Sequence, residues 1–153
     1  MTITIRAHDP AFIGQTGLHA VLYRSRETAA GAGLVKSQAP ACFATQNALH
    51  GITGFLHHEC GVFYQYLEGE AAALASLWRN LQEDPRHEAM TILHKGPIDA
   101  RRFARQAMGW GDAEQRSLFD WLARSGLSLK GDREAQVVTA FMEYASAATV
   151  VAA

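Results

Sequence analysis

The chain has 153 residues, 48% of them apolar and 19% charged, which suits one packed domain and excludes a disordered polymer. A formal net charge of −1 disfavours a nucleic-acid partner, because neutralising phosphates takes a cationic face. No run approaches the length of a membrane span, the N-terminus MTITIRAHDP lacks a signal-peptide pattern, and two cysteines (Cys42 and Cys60) make no disulfide framework, so a cytoplasmic protein with no membrane partner is expected.

In chain order, residues 2–5 (TITI) either add an edge strand or stay outside the fold. Leu18 to Tyr23 alternates with period two and predicts the first strand. A short helix follows from about Ala39–Pro40 to Asn47, since proline is tolerated only in a first turn and Gly31 and Gly33 weaken what precedes it. Ile52–His57 and Val62–Leu67, separated by Glu59-Cys60-Gly61, read as a β-hairpin. Leu74, Leu77, Trp78 and Leu81 give a helical period over 70–83, ended by Asp84-Pro85. Glu88–Lys95 is the next strand, closed by Gly96-Pro97, and Arg102–Met108 is a weaker fifth. After Gly109-Trp110-Gly111, Asp112 is expected to cap a helix carrying Leu118, Phe119, Trp121 and Leu122, and another from about Asp132 carries Val137, Val138, Phe141, Met142 and Tyr144. The order specifies an α+β class: a ferredoxin-like βαββαβ core plus an extra fifth strand, with two C-terminal helices appended. The core helices cover one sheet face. The other is left for the C-terminal helices or a partner.

Nucleotide-loop, nucleophile-elbow and zincin motifs are missing. His57, His58 and Cys60 match no zinc spacing and fit the polar tip of a hairpin, so no metal is expected. Gln65 is more telling, because it lies between Phe63 and Leu67 on one strand face. A carboxamide buried there needs partners, for which Tyr23 and Asn47 are candidates. On periodicity alone, a core network without a ligand is the simpler reading.

The segments Leu22-Tyr23-Arg24-Ser25, Asn47, Gly51-Ile52-Thr53-Gly54-Phe55-Leu56, Gly61 to Gly69 (GVFYQYLEG), Asp84-Pro85-Arg86-His87, Arg102-Phe103 and Met108 together closely resemble the BLUF family, sensors of blue light using FAD. The resemblance implies a flavin-binding photosensor core over 17–110, holding the isoalloxazine between its two core helices. It assigns Tyr23, Gln65 and Met108 as the photoactive residues. Asn47 and Gln65 would bind the flavin's polar edge, with Asp84, Arg86 and His87 near its other edge. Ile52 and Leu56 can sandwich a planar, largely apolar ring. FAD is the expected cofactor, with FMN or riboflavin also compatible because the family grips mainly the ring. The residue types suit the roles: a neutral phenol can give up an electron and a proton, and a primary amide can exchange donor for acceptor by rotating or tautomerising.

The family often has a tryptophan two residues before the methionine, whereas here Gln106 stands there; Trp110 could not take that place without a register change. Residues 111–148 then form a helical output and dimerisation appendage, and 111–153 are too few for a cyclase or phosphodiesterase. The expectation is a blue-light photoreceptor and not an enzyme, acting through a homo-oligomer and a downstream signalling protein. The alternative is a flavin-free ferredoxin-like interaction module. A small acylphosphatase-like enzyme is a third reading, but it lacks an evident anion-binding loop.

Overall fold

The alternation at Leu18–Tyr23 continues to Glu27, so strand β1 spans Leu18–Glu27 in a computed structural model that describes residues 15–31 and 50–151. The helix expected over 39–47, Asn47 itself and the TITI segment lie outside the described residues. Strand β2 is Thr53–Glu59 and β3 is Val62–Glu70. Between them Cys60 (φ 52°) and Gly61 (φ 74°) are both left-handed, which is the geometry of a two-residue hairpin turn matched to the twist of its strands. Helix α1 (Ala71–Glu83) leads to β4 (His87–Pro97), and β5 is Gly109–Asp112.

The sheet order is β4-β1-β3-β2-β5. Strand β3 runs antiparallel to both β1 and β2, β4 is antiparallel to β1, and β5 lies parallel to β2. This is the expected ferredoxin-like order with one strand added beside β2. Successive side chains point to opposite faces. Val21, Tyr23, Leu56, Phe63, Leu67 and Met108 pack with Leu74, Trp78 and Leu81 of α1. Ala20, Leu22, Phe55, Tyr64 and Tyr66 pack with helices α2 (Leu118–Ser125) and α3 (Glu134–Val151). The C-terminal helices therefore cover the face that α1 leaves bare.

Three expectations need correction. The fifth strand is not Arg102–Met108 but Gly109–Asp112. The buried Glu68 carboxylate accepts the backbone N–H groups of Arg102 (2.8 Å) and Phe103 (2.7 Å), and Gln106 N–H bonds Phe103 O at 3.0 Å, which curls this segment so that it meets β2 only from Gln106 O, the acceptor of Gly54 N–H, onward. Pairing resumes where side chains vanish. A Cβ on Gly109 would lie 2.6 Å from the Phe55 ring, and one on Gly111 3.0 Å from it. Nor does Asp112 cap a helix: its carboxylate accepts from Glu114 and Gln115 N–H at 3.0 Å each, closing a turn. Ser117 caps α2 instead, and a 3₁₀ turn at Gly131–Arg133 precedes α3. Phe119, expected on an apolar helix face, is 48% exposed, because Leu118 and Leu122 set the buried side of α2.

α2 docks through a second buried carboxylate. Glu59, at the end of β2, accepts from Leu118 N–H (2.7 Å) and Ser117 Oγ (2.7 Å) and meets His57 Nε2 at 2.9 Å. A negative charge suits the exposed N–H groups of a helix N-terminus. Burial raises the Glu59 pKa, but hydrogen bonds from His57, Ser117 and Leu118 outweigh it and leave the carboxyl below its ordinary range. Burial also lowers His57.

Both folded-state values lie below the unfolded ones, so both contributions are present at neutral pH. The His57 share fades as pH falls below about 6.5, and the Glu59 share fades below about 4.3 and on through its lower folded value. Stability should therefore decline in acid. Glu59→Gln should lower it by about 1–3 kcal/mol at neutral pH and flatten the acid limb; urea unfolding across the pH range measures both.

Candidate functional site

Backbone register builds the site. Ile92, Tyr23, Gln65, Leu56 and Trp110 are successive partners across β4, β1, β3, β2 and β5. They form one row on the face that carries α1, with Gln65 at its centre. Tyr23 and Gln65, from strands 42 residues apart, are thus direct cross-strand neighbours.

Tyr23 is 2% exposed and Gln65 3%. The Tyr23 hydroxyl donates to Gln65 Oε1, and Gln65 Nε2 donates to Met108 Sδ at 3.6 Å. Burial is the main cause that pushes the Tyr23 phenol far above its ordinary range; the Asp84 carboxylate adds to this and Arg86 partly offsets it. The group is therefore a protonated donor at any physiological pH. Gln65 uses one acceptor site and one N–H among the described residues, so its amide retains a further donor and a further lone pair.

Beside this pair lies a small cleft of about 30 Å³ lined by Tyr23, Leu56, Phe63, Gln65, Leu81 and the Asp84–Arg86–His87 segment. Its walls are apolar and its rim is charged. Asp84 and Arg86 form a fork, with Arg86 Nε at 2.9 and 3.0 Å and Nη2 at 2.6 Å from the carboxylate. Burial raises the Asp84 pKa, but hydrogen bonds from the Arg86 side chain and N–H more than cancel it, so the carboxylate is held below its usual range. His87 Nε2 donates to Leu81 O at 2.6 Å. In the neutral ring Nδ1 then accepts from Ser25 Oγ at 2.8 Å.

The structure thus brings together Tyr23, Gln65, Met108, Leu56, Asp84, Arg86 and His87. Ile52 is buried in the same apolar cluster but does not line the cleft. Met108 sits one residue before β5 rather than inside a strand. The residues that sequence reasoning missed are Phe63, Leu81 and Ser25. Phe63 was legible as a face-mate of Gln65, whereas Ser25 meets His87 only through the β1–β4 pairing. His57 and His58 diverge with strand alternation. His57 points under α3 against Phe141, and His58 stacks on Trp110 on the cleft's side of the sheet.

A family model described as BLUF, sensors of blue-light using FAD, matches residues 18–109. The dark-state structure of BlrB, a BLUF protein, superposes with a TM-score of 0.71 at 30% identity, covering 88% of this chain and 98% of that one. Klebsiella pneumoniae BlrP1, in a structure with FMN and cyclic diGMP, gives 0.61 at 28% identity over 71% of this chain and 30% of that one. The photoactivated adenylate cyclase subunit beta of Euglena gracilis is 35% identical over 88 residues, which is 58% of this chain; the match spans only 10% of that relative's length.

Removing the phenolic hydroxyl should leave Gln65 Oε1 without its described donor. Tyr23→Phe is expected to lose about 1–3 kcal/mol in urea unfolding. In a double-mutant cycle with Gln65→Leu the two losses should not add, the coupling being about 0.5–3 kcal/mol.

Proposed function

The chain belongs to the BLUF family, sensors of blue light using FAD, and on that premise we propose that its switch is the hydrogen-bonded series Tyr23, Gln65, Met108. The single observation carrying this reading is the Tyr23 hydroxyl donating to the buried Gln65 amide at the edge of an apolar cleft.

The residues suit an isoalloxazine. Leu56, Phe63 and Leu81 offer apolar walls, and Gln65 retains hydrogen-bonding capacity toward a ring carbonyl or nitrogen. Asn47 is the further residue we assign to the ring's polar edge, and Ile52 backs its apolar surround. Asp84, Arg86 and His87 form the rim. These residues address the ring alone, which accommodates FAD and the FMN seen with BlrP1 alike.

A flavin, when bound, supplies the blue absorption and an excited state that accepts an electron. Tyr23 is positioned to give that electron. Its phenol is held protonated, and its proton lies on the bond to Gln65 Oε1. A proton passed to Oε1, with an amide N–H proton and the electron returned to the Tyr23 oxygen, leaves Tyr23 unoxidised and Gln65 as its imidic tautomer, so an acceptor has become a donor. Rotation or tautomerisation of the amide then changes what Gln65 presents to the ring and to Met108 Sδ. In the apolar surround each such exchange counts for more than in water. Stronger donation to a ring carbonyl shifts absorption to the red.

The signal then leaves along the segment bearing Met108. Two residues earlier, Gln106 O accepts Gly54 N–H at 3.1 Å, and Gln106 Oε1 accepts from Ser146 Oγ of α3 at 3.0 Å. A shift at Met108 is thereby transmitted from one sheet face to the helices on the other, which act as the output appendage over 111–148. The BLUF domain is a sensor and not a catalyst. The output we assign is altered protein–protein contact, with a second copy of the chain or a downstream signalling protein. No helix among the described residues is long and apolar enough to cross a membrane, and we place the protein in the cytoplasm.

Dark-minus-lit spectra test the switch. Wild type should show a reversible red shift, and Tyr23→Phe and Gln65→Leu should keep flavin and lose it; a full shift in either variant refutes its assigned role. Gln106→Trp should change the recovery rate by roughly two-fold or more. In the complete complex, illumination should alter hydrogen exchange over 112–148, and Ser146→Ala should shrink that change.

A further inference from the structure

Trp78 lies on the buried side of α1 and is 3% exposed. Its ring stands at 83° to the Tyr23 phenol with centroids 5.3 Å apart. Its indole Nε1–H is buried and meets no acceptor among the described residues. The perpendicular contact is directional, because it sets the electropositive rim of one ring against the electronegative face of the other.

That direction matters for the neighbouring hydrogen bond. A phenolic O–H prefers the plane of its ring, because the oxygen lone pair conjugates with it. Holding the plane of Tyr23 therefore aims its proton. The other described aromatic neighbour of Tyr23, His87, is 6.1 Å away in a tilted arrangement and is tied to Ser25 and Leu81 instead. Among the described residues the phenol's plane is thus set from α1.

We propose that Trp78 is a positioning residue for the switch, holding the Tyr23 ring so that its hydroxyl stays directed at Gln65 Oε1. The inference rests on the reading of Tyr23 and Gln65 as the photoactive pair. It makes α1 a working part of the sensor and not only a cover for the sheet.

The test is the photoconversion yield per bound flavin in the full-length protein. Trp78→Leu should lower it about five-fold or more, because a small misalignment of reacting groups is expensive in rate. Trp78→Phe keeps an aromatic rim in the slot and should restore the yield to within about two-fold of wild type. Should Trp78→Leu fail to fold, Trp78→Met takes its place with the same expectation. A packing role alone would lower the melting temperature and leave the yield per bound flavin unchanged, and that result overturns the proposal. Tyr23→Phe runs alongside. If it still photoconverts, the underlying reading fails. If it is inert while Trp78→Leu matches wild type, only the role of Trp78 fails.

Discussion

The pairing register of β1 against β3 is the constraint on which the rest depends. With Tyr23 opposite Gln65, a phenol and an amide from distant parts of the chain meet on one face. A slip of one residue would turn every side chain of β1 to the other face and set Tyr23 among the residues beneath α2 and α3. The register is defended on both faces at once. Val21 and Tyr23 are buried toward α1, while Ala20 and Leu22 are buried toward α3. A one-residue slip would exchange the two sets.

The segment before β5 links the two covered sides of the sheet. Met108 meets Gln65 on the α1 side and Gln106 meets Ser146 of α3, and a short stretch of backbone joins them. Glu68 holds the start of that stretch through two main-chain N–H groups, and Arg101 bonds Gly51 O, Thr53 Oγ1 and Glu68 O beside it. Met108 is therefore carried on a loop anchored at both ends.

Buried carboxylates do much of the organising. Glu59 receives the first turn of α2, and Glu68 receives the turn at Arg102–Phe103. In each case a buried carboxyl group is accommodated because backbone N–H groups that would otherwise be unpaired converge on it. A helix's first turn and an irregular turn are fixed this way, because their N–H groups have no intrahelical or ladder partner.

The hairpin, α1 and four of the five strands were legible in the sequence because their signals are local: period-two alternation, a 3.6-residue apolar stripe, and turn residues. Gln65 stood out for the same reason, as a polar side chain where the local pattern demands an apolar one. The BLUF pattern added roles for Tyr23, Gln65 and Met108 that no periodicity contains. The fifth strand was misplaced because what bends Arg102–Met108 is the carboxylate of Glu68, a residue on another strand. Asp112 was read as a helix cap because a cap and an Asx turn share the same local chemistry; the choice fell to Glu59, again from elsewhere. The sequence by itself determined which residues want burial and which want partners. Tertiary structure alone decided who those partners are, since Tyr23 with Trp78, Ser25 with His87 and Gln106 with Ser146 meet only once the strands are ordered and the helices laid on their faces.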